Sequence, residues 1–128
     1  MNRQEHLLSI VAEECVEVAQ RVSKALRFGI EEVQPGQDLT NRERILYEFA
    51  DLCGAMELAG DGAKIEDIIV HLRPLIDAKK EKVEKFLRYS EQVGTLTSEK
   101  PAGEGEHGVS ATFEALSDAR RAPSKEDK

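Results

Sequence analysis

Apolar residues recur at spacings of three and four from Leu7 to Leu26, the rhythm of a helix with one buried stripe. The stripe reads Leu7, Leu8, Val11, Cys15, Val18, Val22 and Leu26. Asn2 is placed to cap its start and Gly29 to follow its end, so the pattern predicts a first helix over residues 3–28. Residues 29–40 carry the turn signal Pro35-Gly36 and read as a connection. They lack the glycine spacing and lysine of a phosphate-cradling loop. Thr40-Asn41-Arg42-Glu43 is a capping box. The stripe behind it, Ile45, Leu46, Phe49, Leu52, Cys53 and Met56, predicts a second helix ending near Gly60-Asp61-Gly62. Ile65 to Leu72 reads as a short third helix closed by Arg73-Pro74. Pro74 suits the first position of a fourth helix running to about Gln92. Ile69, Leu72, Ile76, Lys79, Val83 and Phe86 form the seam of this last region. From Gly94 onward the rhythm gives way to Gly, Glu, Ser and Lys, the composition of a disordered tail. Only Val109, Phe113 and Leu116 hint at a weak amphipathic helix there.

These elements predict an all-α fold, an antiparallel bundle of about four helices over residues 1–93, with a flexible polar tail over 94–128. A chain this short, with stripes on several faces, is expected to form a homo-oligomer. The composition agrees: 40% hydrophobic, 34% charged and no Trp suits helices better than sheets. A net charge of −7 argues against a nucleic-acid partner. No apolar run is long enough to span a membrane, and the N-terminus has no signal-peptide pattern. Cys15 and Cys53 sit on the predicted stripes and read as small buried thiols, in keeping with a cytoplasmic protein.

Charge changes the picture most where it interrupts the stripes. Glu13, Glu14 and Glu17 lie within the first helix, and Glu48 and Asp51 within the second. At about 100° per residue Glu14 falls within roughly 20° of Leu7 and Ala25, bordering the core. Glu17 lies one turn on along that edge. Glu48 and Asp51, three apart, share one side of their helix. The connection lets the two helices return antiparallel, with axes about 8–10 Å apart. Carboxylates from both can then converge. Four together would repel by an amount comparable with the whole stability of a small domain, so cations or protons must compensate. Oxygen-only ligands point to Mg²⁺, with Mn²⁺ as a substitute, and to phosphoanhydride hydrolysis. Solvated glutamates paired with Lys or Arg are the simpler alternative for either pair taken alone. A di-iron bundle would need Glu-x-x-His on its helices, and the string Glu104-Gly105-Glu106-His107 lies in the tail.

At these residues the chain resembles the MazG-like nucleoside triphosphate pyrophosphohydrolases, part of the all-α NTP pyrophosphatase group. The resemblance is carried by Glu13-Glu14-Cys15-Val16-Glu17, by Ser23-Lys24-Ala25-Leu26-Arg27-Phe28-Gly29, and by Glu48-Phe49-Ala50-Asp51. Lys79 to Ser90 is similar to the last helix of short members. It covers about residues 1–92. Thirty residues separate Glu17 from Glu48, which is long for the family pattern, and the excess falls in the connection. The resemblance implies Mg²⁺-dependent hydrolysis of a nucleoside or deoxynucleoside triphosphate to the monophosphate and pyrophosphate, in nucleotide-pool control or house-cleaning. It implies Glu14, Glu17, Glu48 and Asp51 as metal ligands and Glu13 as an aid to the attacking water. From their helix position Lys79 and Lys82 would meet phosphates, with snorkelling to water as the simpler reading. Arg27 and Tyr89 read equally as further substrate contacts or as an exposed cation and an interfacial aromatic. A phosphoribosyl-ATP pyrophosphatase and a non-catalytic helical interaction module are the alternative readings.

Overall fold

A computed structural model describes residues 1–97 of the chain. Three helices account for most of them: α1 (Arg3–Phe28), α2 (Asn41–Ala59) and α3 (Ile65–Gln92). Among the described residues there is no strand, only an isolated antiparallel bridge between Val33 and Thr40. The all-α class is as the periodicity predicts. The part of the expected tail from residue 98 on, with Val109, Phe113, Leu116 and His107, lies outside the described residues. The described residues divide into two units, Met1–Glu81 and one that begins at Lys82.

The ends of α1 and α2 fall where their caps put them. Asn2 Oδ1 accepts from the Glu5 amide at 2.9 Å, and Glu5 Oε2 accepts from the Asn2 amide at 2.8 Å. This reciprocal pair satisfies two amides at the helix start. Thr40 and Glu43 repeat the arrangement on α2. Gly29 ends α1 at φ 103°, a conformation that other residues adopt only under strain. After α2 the chain turns through Asp61 at φ 56° and Gly62 at φ 84°. Aspartate tolerates this left-handed region better than most residues, and glycine meets no Cβ penalty there.

Three links show that α1 and α2 run antiparallel. Gln4 Nε2 donates to the Ala59 carbonyl at 2.8 Å, closing the open end of the pair. Arg21 meets Glu48 in the middle. At the loop end Asn41 Nδ2 donates to the Gly29 carbonyl at 2.8 Å. The connection is tied down as well. The amides of Asn41 and Arg42 donate to the carbonyls of Glu32 and Ile30, at 3.0 and 2.9 Å. These are first-turn donors that a helix cannot satisfy internally. The Arg42 and Glu31 side chains pair across the same connection.

The seam between α1 and α2 is rotated from the predicted stripes. On α1 it runs through Leu7, Val11, Glu14, Val18, Arg21 and Ala25, with Leu7 and Ala25 buried. Leu8, Val22 and Leu26 are exposed. Cys15 is exposed too, against the expectation of a buried thiol. On α2 the seam runs through Asn41, Ile45, Glu48, Leu52 and Ala55, while Phe49 and Met56 are exposed. Small Ala25 and Ala55 allow close approach, and the polar seam residues find partners across it.

The third and fourth predicted helices are one helix. α3 continues through Pro74 to Gln92, so there are three helices among the described residues, not four. Proline removes one donor, which would have met the carbonyl of Val70 four residues back. Val70 is 70% exposed, so water can take the place of that bond. No residue of α3 is buried. In the second unit, residues 82–92 complete the helix. Thr95 and Leu96 amides then fold back to the Ser90 carbonyl at 3.0 and 3.2 Å.

Candidate metal centre

Near mid-length of α1 and α2, three carboxylates meet. Glu14, Glu17 and Glu48 each offer an oxygen, and these oxygens lie within 4.8 Å of one another. The antiparallel pairing brings α1 residues 14–21 opposite Glu48. Glu14 is half-buried on the seam, Glu17 stands at its exposed edge, and Glu48 is only 8% exposed. Glu48 sits between Ile45 and Leu52 on the packed face of α2, a place that sequence alone would give to an apolar residue.

A buried carboxylate needs a partner, and Glu48 has one. Arg21 Nε donates to Glu48 Oε1 at 2.7 Å, with the arginine side chain 23% exposed. One guanidinium does not balance three carboxylates. The surplus appears at Glu17, whose carboxyl is pushed above its usual range. A hydrogen bond with Glu48 is the main cause. The charge of Glu48 comes next, then burial, then the charges of Glu14 and Glu13. The local field therefore favours a proton or another cation beside Glu17.

The donor set fits a hard divalent cation. Such ions take oxygen ligands at about 2.0–2.6 Å, so opposing ligands stand roughly 4–5 Å apart. Carboxylates already within 4.8 Å of each other need only small rotations to share one ion. Waters and phosphate oxygens would supply the remaining positions, as is usual for Mg²⁺.

The converging group contains none of the other expected site residues. Asp51 is exposed and is not one of the three converging carboxylates. At about 100° per residue, Asp51 is turned roughly 80° from the centre of the α2 seam, in keeping with its exposure. Glu13 is exposed, and its charge contributes to the shift at Glu17. Arg27, at the end of α1, lies over the Phe28 ring with 5.4 Å to its centroid. Lys79 is exposed on α3 in the first unit. Lys82 and Tyr89 are exposed in the second. Arg21 was not among the expected residues. Its position four after Glu17 and seven after Glu14 was the signal available, since that spacing returns to the same helix face.

Cys53 is the less exposed of the two free cysteines. Burial raises its thiol above the ordinary range, and Glu57 and Glu66 raise it further. It therefore stays protonated and unreactive at neutral pH. No protein-family model matches this chain, and no curated protein or solved structure matches it.

Proposed function

We propose that this protein hydrolyses a nucleoside or deoxynucleoside triphosphate to the monophosphate and pyrophosphate with the help of Mg²⁺. The observation that carries the reading is the convergence of Glu14, Glu17 and Glu48 from two helices, with more negative charge than Arg21 balances. The motif resemblance supplies the reaction class. In this reading Glu14, Glu17 and Glu48 hold the cation. Asp51 belongs to the same site, because on an antiparallel pair its rotation puts it on the same edge as Glu17. A bound Mg²⁺ would neutralise phosphate oxygens and make a water molecule more acidic. Glu13 orients that water or takes its proton. One water is consumed, one phosphoanhydride bond breaks, and the proton passes to a carboxylate and then to solvent.

Phosphate contacts fall to Lys79 and Lys82, with Arg27 and Tyr89 as further substrate contacts. Among the described residues, neither lysine forms an ion pair. A homodimer or homotetramer is part of the same reading. Val22, Leu26, Phe49 and Met56 are exposed beside the α1–α2 seam, and Leu72 and Leu75 on α3. Apolar surface of this kind on paired helices is the usual mark of an interface.

The test is a panel of ribo- and deoxyribonucleoside triphosphates with Mg²⁺ or with chelator, scoring pyrophosphate and phosphate separately. Pyrophosphate and monophosphate should appear in equal amounts, and only with the metal. Phosphate as the sole first product would contradict cleavage between the α and β phosphorus.

A further inference from the structure

Among the described residues, Arg21 is the one cation paired with the converging carboxylates, and neither the motifs nor the family resemblance accounts for it. It reaches Glu48 Oε1 at 2.7 Å from its own position on the α1 seam. Both partners are largely withdrawn from water, with side chains 23% and 11% exposed. Among the described residues it is the least exposed ion pair. The other three pairs involve at least one side chain more than half exposed. A pair so placed is not an incidental surface contact.

We propose that Arg21 is the resident counter-ion of this carboxylate group and competes with a divalent cation for Glu48. This rests on the proposed cation site. The guanidinium engages Oε1 of Glu48, so a cation would have to share that carboxylate with it. Arginine stays charged at all working pH values, so it cannot withdraw its charge by losing a proton. A divalent ion that shares Glu48 must therefore tolerate a neighbouring positive charge, or Arg21 must swing away. In either case the arginine holds the cation-free site together and weakens the hold on the ion. A site built this way binds its metal loosely alone, and more firmly once an anionic ligand such as a triphosphate adds negative charge.

The size of the effect follows from Coulomb's law. A single and a double charge sharing one carboxylate stand roughly 6 Å apart. Even at the dielectric constant of water, their repulsion amounts to about a tenfold change in an equilibrium constant. Arg21→Gln keeps a hydrogen-bond donor for Glu48 and removes the charge. Arg21→Lys keeps the charge.

The experiment titrates Mn²⁺ alone into the full chain, read by electron paramagnetic resonance, with thermal unfolding recorded at each point. Arg21→Gln should bind Mn²⁺ about tenfold more tightly than the wild type and unfold at a lower temperature without metal. Arg21→Lys should keep the wild-type affinity. Unchanged or weaker binding by a folded Arg21→Gln, beside a wild type that binds, overturns the role of Arg21 and leaves the cation site standing. Binding by Arg21→Gln alone supports it, since the resident charge then excludes the ion. Binding by neither protein overturns both the role and the site.

Discussion

Replacing Asn41 by alanine should be among the costliest single substitutions in the first unit. Asn41 is 4% exposed, and its side-chain amide donates twice, to the Gly29 carbonyl at 2.8 Å and to Glu32 Oε2 at 2.9 Å. It thus joins the end of α1, the connection and the first turn of α2. A neutral hydrogen bond contributes about 0.5–1.5 kcal/mol, and one to a charged acceptor about 1.5–3 kcal/mol. Glu32 is only half-buried and can turn to water, so the lower end applies to it. The sum is about 2–3 kcal/mol. For a domain of about 100 residues that corresponds to roughly 10–20 °C in Tm. Asn41→Asp should be worse, because it sets a carboxylate against two acceptors. Urea denaturation followed by circular dichroism would measure both, with an unchanged m value expected. A loss below about 0.5 kcal/mol for Asn41→Ala, the range of ordinary surface changes, would refute the anchoring role.

Further outcomes follow from the site and the fold. Glu48→Gln keeps an acceptor for Arg21 but removes a charge, so it should abolish pyrophosphate release while preserving helicity and oligomer size. Retained turnover would remove Glu48 from the site. The raised Glu17 carboxyl gives the metal-free protein a signed pH dependence. The folded state binds this proton more tightly than the unfolded state does. Its contribution is therefore present below the unfolded value, near 4.5, and is lost as pH rises through the elevated folded value. Thermal unfolding over that window should show a component that Glu17→Gln removes, and an identical profile in the variant would count against the coupling to Glu48. Pro74→Ala restores a donor for the Val70 carbonyl inside α3. It should favour the local helix by up to about 3 kcal/mol. Amide exchange around residue 74 should slow, and unchanged protection would contradict the account of the uninterrupted helix.

The helix ends were legible because they are written in local chemistry. Asn2 with Glu5, Thr40 with Glu43, and Gly29 each act within one turn, so no distant contact can override them. The packed face was legible in part: Leu7, Val11, Val18, Ile45 and Leu52 of the predicted stripes lie on the seam. Leu8, Val22, Leu26, Phe49 and Met56 keep helical spacing, yet they lie outside the α1–α2 seam. Periodicity finds apolar stripes but does not assign them to a partner within the chain or beyond it. The seam also holds Ala25, Asn41, Glu48, Ala55 and Arg21, which the stripes left out and which work through small size or pairing. Pro74 misled for a related reason: a break is costly only where its freed carbonyl is dry, and Val70 is exposed. The meeting of Glu14 with Glu48 was foreseeable from the wheel and the return of the chain. The position of Asp51 outside the three converging carboxylates depends on a seam rotation that the sequence left open.

The most direct test of the cation site is a crystal of the full chain grown with Mn²⁺, with anomalous scattering recorded above and below the manganese edge. The account predicts a peak between α1 and α2, with oxygens of Glu14, Glu17 and Glu48 at about 2.1–2.3 Å from it. A fully occupied manganese elsewhere, with these three glutamates facing only water and Arg21, would contradict it.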